Sequence, residues 1–212
     1  MEFESPVLEA AVTELSRLPG VGRKTALRFA LHLLRQDESV AVNLGRAITE
    51  LRTRIHYCPQ CHNITADTGL CPVCADPARD KRTILVVETV KDVLSFEATH
   101  RYDGVYHVLG GIISPMEGIS PDMLQIDSLA ARVSALSESQ PTPPEVILAL
   151  NATMEGETTA YYIYRNLTAP GNHSIRVTQL SRGISVAGEI QYTDELTLAR
   201  SLQNRTPFTI TT

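Results

Sequence analysis

The chain has 212 residues, 43% hydrophobic and 20% charged, enough for one or two compact domains with a real core. No apolar run approaches the length of a transmembrane helix, and the acidic start MEFESPVLEA lacks the basic-then-apolar order of a signal peptide, so a cytoplasmic protein is expected. A net charge of −5 argues against nucleic acid for the chain as a whole, yet residues 15–36 carry Arg17, Arg23, Lys24, Arg28 and Arg35 with no Asp or Glu among them.

In chain order, Pro6 to Leu18 places Val7, Leu8, Ala11, Val12, Leu15 and Leu18 at helical spacing. PGVG then makes a turn. A second helix runs from Thr25 to Leu34, and Ser39 is expected to cap a third that continues to about Tyr57. A segment with all four cysteines follows, then the charged connector ADPARDKR. From Thr83 the pattern changes. TILVVE reads as a buried strand, TVKDVLSFEAT as a helix and VYHVLG as a second strand. Gly110 to Pro121 reads as a loop. Asp127 is expected to cap the helix SLAARVSALSES. EVILAL is a third strand, NATMEGE a polar turn, ETTAYYIYRNL a helix, IRVTQL a fourth strand, and YTDELTLARSL a last amphipathic helix before the tail TPFTITT. Strands alternating with helices over short connections predict an α/β fold with a mostly parallel, three-layer sheet behind a helical N-terminal region.

Two motifs carry specific chemistry. In LPGVGRKTA, Gly20 and Gly22 flank an apolar residue between two helices. Glycine permits positive φ there, and the amides at the start of the second helix are left free for a phosphate oxygen. Arg23, Lys24 and Arg28 surround that point, with Lys24 and Arg28 one helical turn apart. Pro-Gly-x-Gly followed by basic residues resembles the helix-hairpin-helix motif, which binds the DNA backbone without regard to sequence; the bland alternative is a plain helical hairpin. In CPQCHNITADTGLCPVC, Cys58, Cys61, Cys71 and Cys74 form two knuckles. Four thiolates at this spacing predict one structural zinc per chain, with His56 and His62 beside the site and not in it. A pair of redox dithiols is the rival.

A third pattern is acidic. Glu88 ends the first strand of the predicted sheet, and ALNATMEGE follows the third. A strand-end acid, then Asp-x-Asp and Glu-Gly on a later strand, is the pattern of the Toprim domain, whose acids hold Mg²⁺ for phosphoryl transfer. Here Asn151 and Thr153 stand at the two Asp positions, while Glu88, Glu155 and Glu157 remain. A neutral amide and a hydroxyl hold Mg²⁺ much less firmly than two carboxylates, so the expected domain binds and does not cut.

The order of these parts is similar to the RecR family of recombination mediators. The resemblance spans nearly the whole chain and rests most specifically on LSRLPGVGRKTALR, the cysteine block with ADPARDKRTILVVE, YHVLGGIISPMEGISPD, EVILALNATMEGETTAYYI and YTDELTL. It implies a helix-hairpin-helix DNA-binding and dimerisation domain at 1–57, a four-cysteine zinc finger at 58–74, a Toprim domain at 81–177 and a C-terminal segment at 178–212. It further implies a bacterial, non-enzymatic DNA-repair protein that forms dimers or ring-shaped tetramers. Such proteins bind single- and double-stranded DNA and act with RecO and RecF to place RecA on single-stranded gaps. In that picture Lys24 and Arg28 face DNA, and Glu88 with residues 151–157 belongs to a surface that meets RecO. GISVAG departs from the family's usual GLPVGG at Ser185 and Ala187, so no nucleotide-like role is carried onto it. The competing readings are a magnesium-dependent Toprim enzyme (primase, nuclease or topoisomerase-like) using Glu88, Glu155 and Glu157, and a structural adaptor without DNA contacts.

Overall fold

The computed structural model describes residues 5–66, 68–139, 142–169, 174–181, 183–184 and 189–204, so most of GISVAG and the tail lie outside the described residues. The chain divides into two units, Met1–Ile55 and His56–Thr212.

In the first unit, α1 (Pro6–Ser16) starts where Ser5 accepts the Leu8 amide at 3.4 Å and Pro6 supplies a ready-made helical φ. Its buried Val12 meets Ala26 and Ala30 of α2 (Arg23–Leu33), with Leu8, Leu15, Val21 and Leu27 around them. Two alanines at the contact let the helices approach closely. Between them Gly20 takes φ +78°, which a side chain resists. The third helix, α3 (Glu38–Arg54), departs from expectation at both ends. Asp37, not Ser39, is the cap: its carboxylate accepts the Ser39 amide at 2.9 Å. A full negative charge at a helix N-terminus is a stronger acceptor than a hydroxyl that falls inside the first turn. The helix also stops at Arg54, because His56 and Tyr57 are drawn into a strand pair.

The second unit opens with that pair, β1 (His56–Tyr57) antiparallel to β2 (Ile64–Thr65), followed by the single turn α4 (Pro72–Ala75). Then come β3 (Asp80–Val87), α5 (Val90–Glu97), β4 (Gly104–Val108), α6 (Ile126–Ser139), β5 (Glu145–Ala149), α7 (Met154–Leu167), β6 (Arg176–Gln179) and α8 (Glu195–Gln203). From β3 to β6 strands and helices alternate as predicted. The sheet order is β4-β3-β5-β6, and every pairing is parallel.

The second half of central β3, Ile84–Val87, reads as a continuous apolar run because both of its faces are covered. Ile84 and Val86 pack with Leu129 and Val133 of α6 and Ile163 of α7, whereas Leu85 and Val87 pack with Val93 of α5 and Tyr106 of β4. This is the expected three-layer arrangement. Burying each such side chain contributes roughly 1.5–3 kcal/mol before entropy is set against it.

Two local expectations fail here for physical reasons. Asp127 does not cap α6 but lies inside its first turn, where its charge still favours the helix dipole. Residues 154–157 are not a turn: Thr153 caps α7 by accepting the Gly156 amide at 3.1 Å, and the helix begins at Met154. Gly156 is glycine because a Cβ there would run into the Asn151 carbonyl oxygen, not because the chain reverses.

The connector ADPARDKR is more ordered than its composition suggests. Arg79 grips Glu97 of α5 with two hydrogen bonds of 2.9 and 2.6 Å and donates to the Tyr102 carbonyl at 3.0 Å. That clamp fixes the entry to β3 and holds the Glu97 carboxyl below its usual pKa range.

Candidate functional site

The cysteine block folds as two knuckles closing on one point. Cys58 follows β1, and its amide bonds the Asn63 carbonyl at 2.7 Å while its own carbonyl accepts the His62 amide at 3.0 Å. This tight turn, with His62 at φ +60°, brings Cys61 back beside Cys58. Cys71 and Cys74 flank the first turn of α4. All four thiols are buried, and their sulfurs lie within 4.8 Å of one another. A tetrahedral zinc with Zn–S bonds of about 2.3 Å separates its sulfurs by roughly 3.8 Å, so the donor set fits that ion.

Amides already point at the sulfurs: Cys71 N–H to Cys58 Sγ at 3.4 Å and Cys74 N–H to Cys71 Sγ at 3.5 Å. The Cys61 and Cys71 sulfurs sit 3.5 Å apart, within reach of a hydrogen bond between them. Four such groups shed their protons together only around a cation. Neither histidine joins them. His56 is exposed on β1, and His62 turns its Nε2 to the Ser128 hydroxyl at 2.9 Å.

The knuckles are fastened to the sheet. The Val108 amide on edge strand β4 donates to the Cys61 carbonyl at 2.8 Å. Lys81 on β3 donates to the carbonyls of Val73, Cys74 and Asp76. Beneath them His107 is fully buried; its Nε2–H donates to the Gln125 carbonyl at 2.7 Å, and burial drives its pKa down to about 3. Lys81 and His107 were not singled out from the sequence. The only trace of His107 was a histidine in an otherwise apolar strand, and Lys81 was hidden in the charged run ADPARDKR.

In the first unit, Gly22 is the N-cap of α2 and offers no side-chain acceptor to the first amides of that helix. Lys24 and Arg28 are exposed, and Arg28 lies over the Phe29 ring at 5.6 Å. They line a groove of about 410 Å³ with Leu27, Leu31, His32 and Arg35. Arg23 is differently placed: it pairs with Glu9 of α1 at 2.6 Å. His32 and Arg35 extend the basic face beyond the motif. Their signal was the spacing 24, 28, 32 along one helix, with Arg35 just past its end.

At the carboxyl end of the sheet, the register Val87 with Ala149 makes β3 and β5 finish together. Glu88 and Asn151 emerge side by side, and the Asn151 amide donates to Glu88 Oε2 at 2.9 Å. Thr153 is occupied as the α7 cap. Glu155 is exposed in the first turn of that helix, while Glu157 lies 3.9 Å from Arg200 of α8. Among the described residues, the four cysteines are the only group of three or more His, Cys, Asp or Glu side chains placed to hold a metal. The acidic residues of the Toprim-like pattern are therefore not gathered into one.

Comparison with known proteins agrees with this anatomy. Residues 8–52 match the family described as RecR, helix-hairpin-helix, and residues 55–76 match the RecR four-cysteine zinc finger domain. Residues 82–180 match the Toprim domain, and residues 183–206 the family described as RecR, C-terminal. The chain is 51% identical over 208 residues to Recombination protein RecR of Bacteroides fragilis, covering 98% of this chain and 97% of the relative. The chain belongs to the RecR family. Similarity extends to the proteins of the same name from Porphyromonas gingivalis, 50% identical over 98% of this chain and 96% of the relative, and Cytophaga hutchinsonii, 47% identical over 98% of each. In this RecR-family chain the buried cysteine cluster is the zinc-finger site, and the parallel sheet with Glu88 and Asn151 at its end is the Toprim domain. No described helix is long and apolar enough to cross a membrane.

Proposed function

We propose that this chain is a DNA-binding recombination mediator without catalytic activity of its own, acting in recombinational repair in the bacterial cytoplasm at the nucleoid. Family membership supports the role in recombination. One observation carries the rest: the acid of the Toprim sheet, Glu88, is engaged by the neutral Asn151 amide at 2.9 Å where a metal-dependent enzyme needs a second carboxylate. Phosphoryl transfer relies on cations held by several oxygen ligands, and the described acids do not converge. Mg²⁺ at this end of the sheet is accordingly weak.

DNA contact falls to α2. The amides after Gly22 receive a phosphate oxygen, with Lys24 and Arg28 beside it and Gly20 setting the turn. Arg23 contributes less, since its guanidinium already serves Glu9. Such contacts are indifferent to sequence and suit both single- and double-stranded DNA. The chain works as a homo-oligomer. Helix α3 buries none of its residues in its own unit, yet Val40, Leu44, Ile48 and Leu51 follow one another at helical spacing and are exposed, which supports a second copy as their cover. A ring of such copies places the basic faces inward as a clamp around DNA and leaves the acidic remainder outside. The clamp acts with RecF and with RecO, which meets it through Glu88 and residues 151–157, to help place RecA on single-stranded gaps.

The deciding experiment pairs two measurements on purified protein. DNA binding across a salt series should fall steeply with salt and be equal on unrelated sequences. Incubation of DNA and RNA with Mg²⁺ should give no cleavage or synthesis. Turnover that disappears in Glu88→Gln establishes the Toprim-enzyme alternative instead.

A further inference from the structure

Methionine is among the side chains most often buried, yet this chain uses it outside. Of its four methionines, Met1 lies outside the described residues, and the other three are exposed: Met116 by 96%, Met154 by 83% and Met123 by 64%. All three stand at the carboxyl end of the parallel sheet. Met116 and Met123 belong to the connection from β4 to α6, and Met154 is the first residue of α7, just after β5. In a parallel sheet such strand-to-helix connections all open at one end, where ligands are held.

These positions are held in place by hydrogen bonds. Ser114 and Ile119 exchange backbone bonds of 3.0 and 2.9 Å, and Gly118 turns the chain at φ +73°, so Met116 rides near the apex of a closed turn. The Gly110 amide ties the start of that loop to the Glu88 carbonyl at 3.0 Å. The Ile113 amide donates to the buried Thr159 hydroxyl of α7 at 2.9 Å, and that hydroxyl donates to the carbonyl of Glu155, the neighbour of Met154, at 2.7 Å. One run of contacts thus joins the Met116 loop to Glu88 and to the start of α7. In the connections after β3, β4 and β5, and the first turns they lead into, Glu117, Asp122, Asp127 and Glu155 are exposed and Glu88 is half-buried, against a single cation, Lys91. Methionine is enriched at protein–protein interfaces, and its unbranched, polarizable side chain adapts to what it meets.

We propose that Met116 and Met154 are the apolar anchors of a docking surface whose occupant is a basic segment of a partner protein that carries exposed apolar side chains. The inference rests on the reading that Glu88 and residues 151–157 meet RecO, and it deepens that reading. The acids steer the partner by charge, the methionines hold it by burial, and the surface extends onto the loop of residues 110–119. A second copy of this chain is a poorer occupant, because a two-fold interface would set the same acids against each other.

The test uses the full chain and purified RecO. Affinity is measured at low and at high salt for wild type, for Met116→Ser with Met154→Ser, and for Glu88→Gln with Glu155→Gln. The serine pair should bind about tenfold more weakly at both salt concentrations, and the glutamine pair should lose affinity chiefly at low salt, where charge is least screened. Both methionines are exposed, so the serine pair should melt with wild type. In wild type labelled at its methionine methyls, the signals of Met116 and Met154 should shift when RecO is added. A serine pair that binds like wild type, while the glutamine pair is weakened, overturns the anchors and leaves the RecO surface standing. Methyl signals that stay in place on adding RecO overturn them too, without recourse to any variant. Signals that move on dilution of the chain alone make a second copy the occupant and also overturn the proposal. Wild type that does not bind RecO, or a glutamine pair that binds as wild type does, is a different failure: the underlying reading of Glu88 falls and takes the anchors with it.

Discussion

Replacing Asn151 by aspartate restores the carboxylate that a metal-holding Toprim sheet requires, and its effect can be worked out in advance. The Asn151 amide now donates to Glu88 Oε2 at 2.9 Å. Asn151→Asp removes a hydrogen bond to a charged acceptor, worth about 1 kcal/mol at an exposed position. It also sets two like charges about 4 Å apart, a repulsion between about 1 kcal/mol in water and about 4 kcal/mol at an effective dielectric of 20. Rotation of the side chains into solvent relieves part of it, leaving a net loss of about 2 kcal/mol. For a domain of this size that lowers the melting temperature by roughly 4–8 °C.

Magnesium should then recover much of the loss in the variant. A cation at ten times its Kd stabilises by roughly 1.4 kcal/mol. The assay is a thermal melt of wild type, Asn151→Asp and Asn151→Ala, each with and without Mg²⁺. Alanine removes the donor without adding charge, so it should lose about 1 kcal/mol and ignore the metal. The reasoning is refuted if Asn151→Asp melts with wild type, or if Mg²⁺ stabilises wild type as much as the aspartate variant.

Lys24→Ala with Arg28→Ala should weaken binding to every DNA sequence alike and reduce the slope of log K against log salt by about 2, read by fluorescence anisotropy; Arg23→Ala should do less because of its pairing with Glu9. Cys71→Ser should bring bound zinc below one equivalent by metal analysis, and chelation of wild type should lower its melting temperature, because metal binding is folding free energy. Ile48→Asp on the exposed face of α3 should shift the protein to a smaller species in light scattering without unfolding it. The Arg79–Glu97 clamp gives a pH signature. The folded Glu97 pKa lies below its unfolded value, so the stabilisation is present above the unfolded glutamate pKa and is lost as pH falls through the folded one. Glu97→Gln should therefore destabilise at pH 7 by about 1 kcal/mol, and the difference from wild type should vanish in acid melts.

Local chemistry accounts for what was legible in the residues alone. The four cysteines announce their site because a metal's ligands here are close in sequence. The strands Ile84–Val87 and Val146–Ala149 announce themselves because a strand buried on both faces must be apolar throughout. The PGVG turn is visible because positive φ demands glycine. Asn151 and Thr153 are neutral in any fold. Tertiary structure decided matters that depend on residues far apart. Whether Glu88 meets Asn151 hangs on the β3–β5 register, which sequence spacing does not encode. Thr153 and Gly156 read as a turn until the Asn151 carbonyl is seen pressing on Gly156, and Asp37 displaces Ser39 as a cap because it stands ahead of the open amides and not among them. Arg132 offered least warning. It is an ordinary helix arginine in sequence, and only the packing of α6 against β4 sets its Nη1 on the Tyr106 carbonyl and buries its Nε and Nη2.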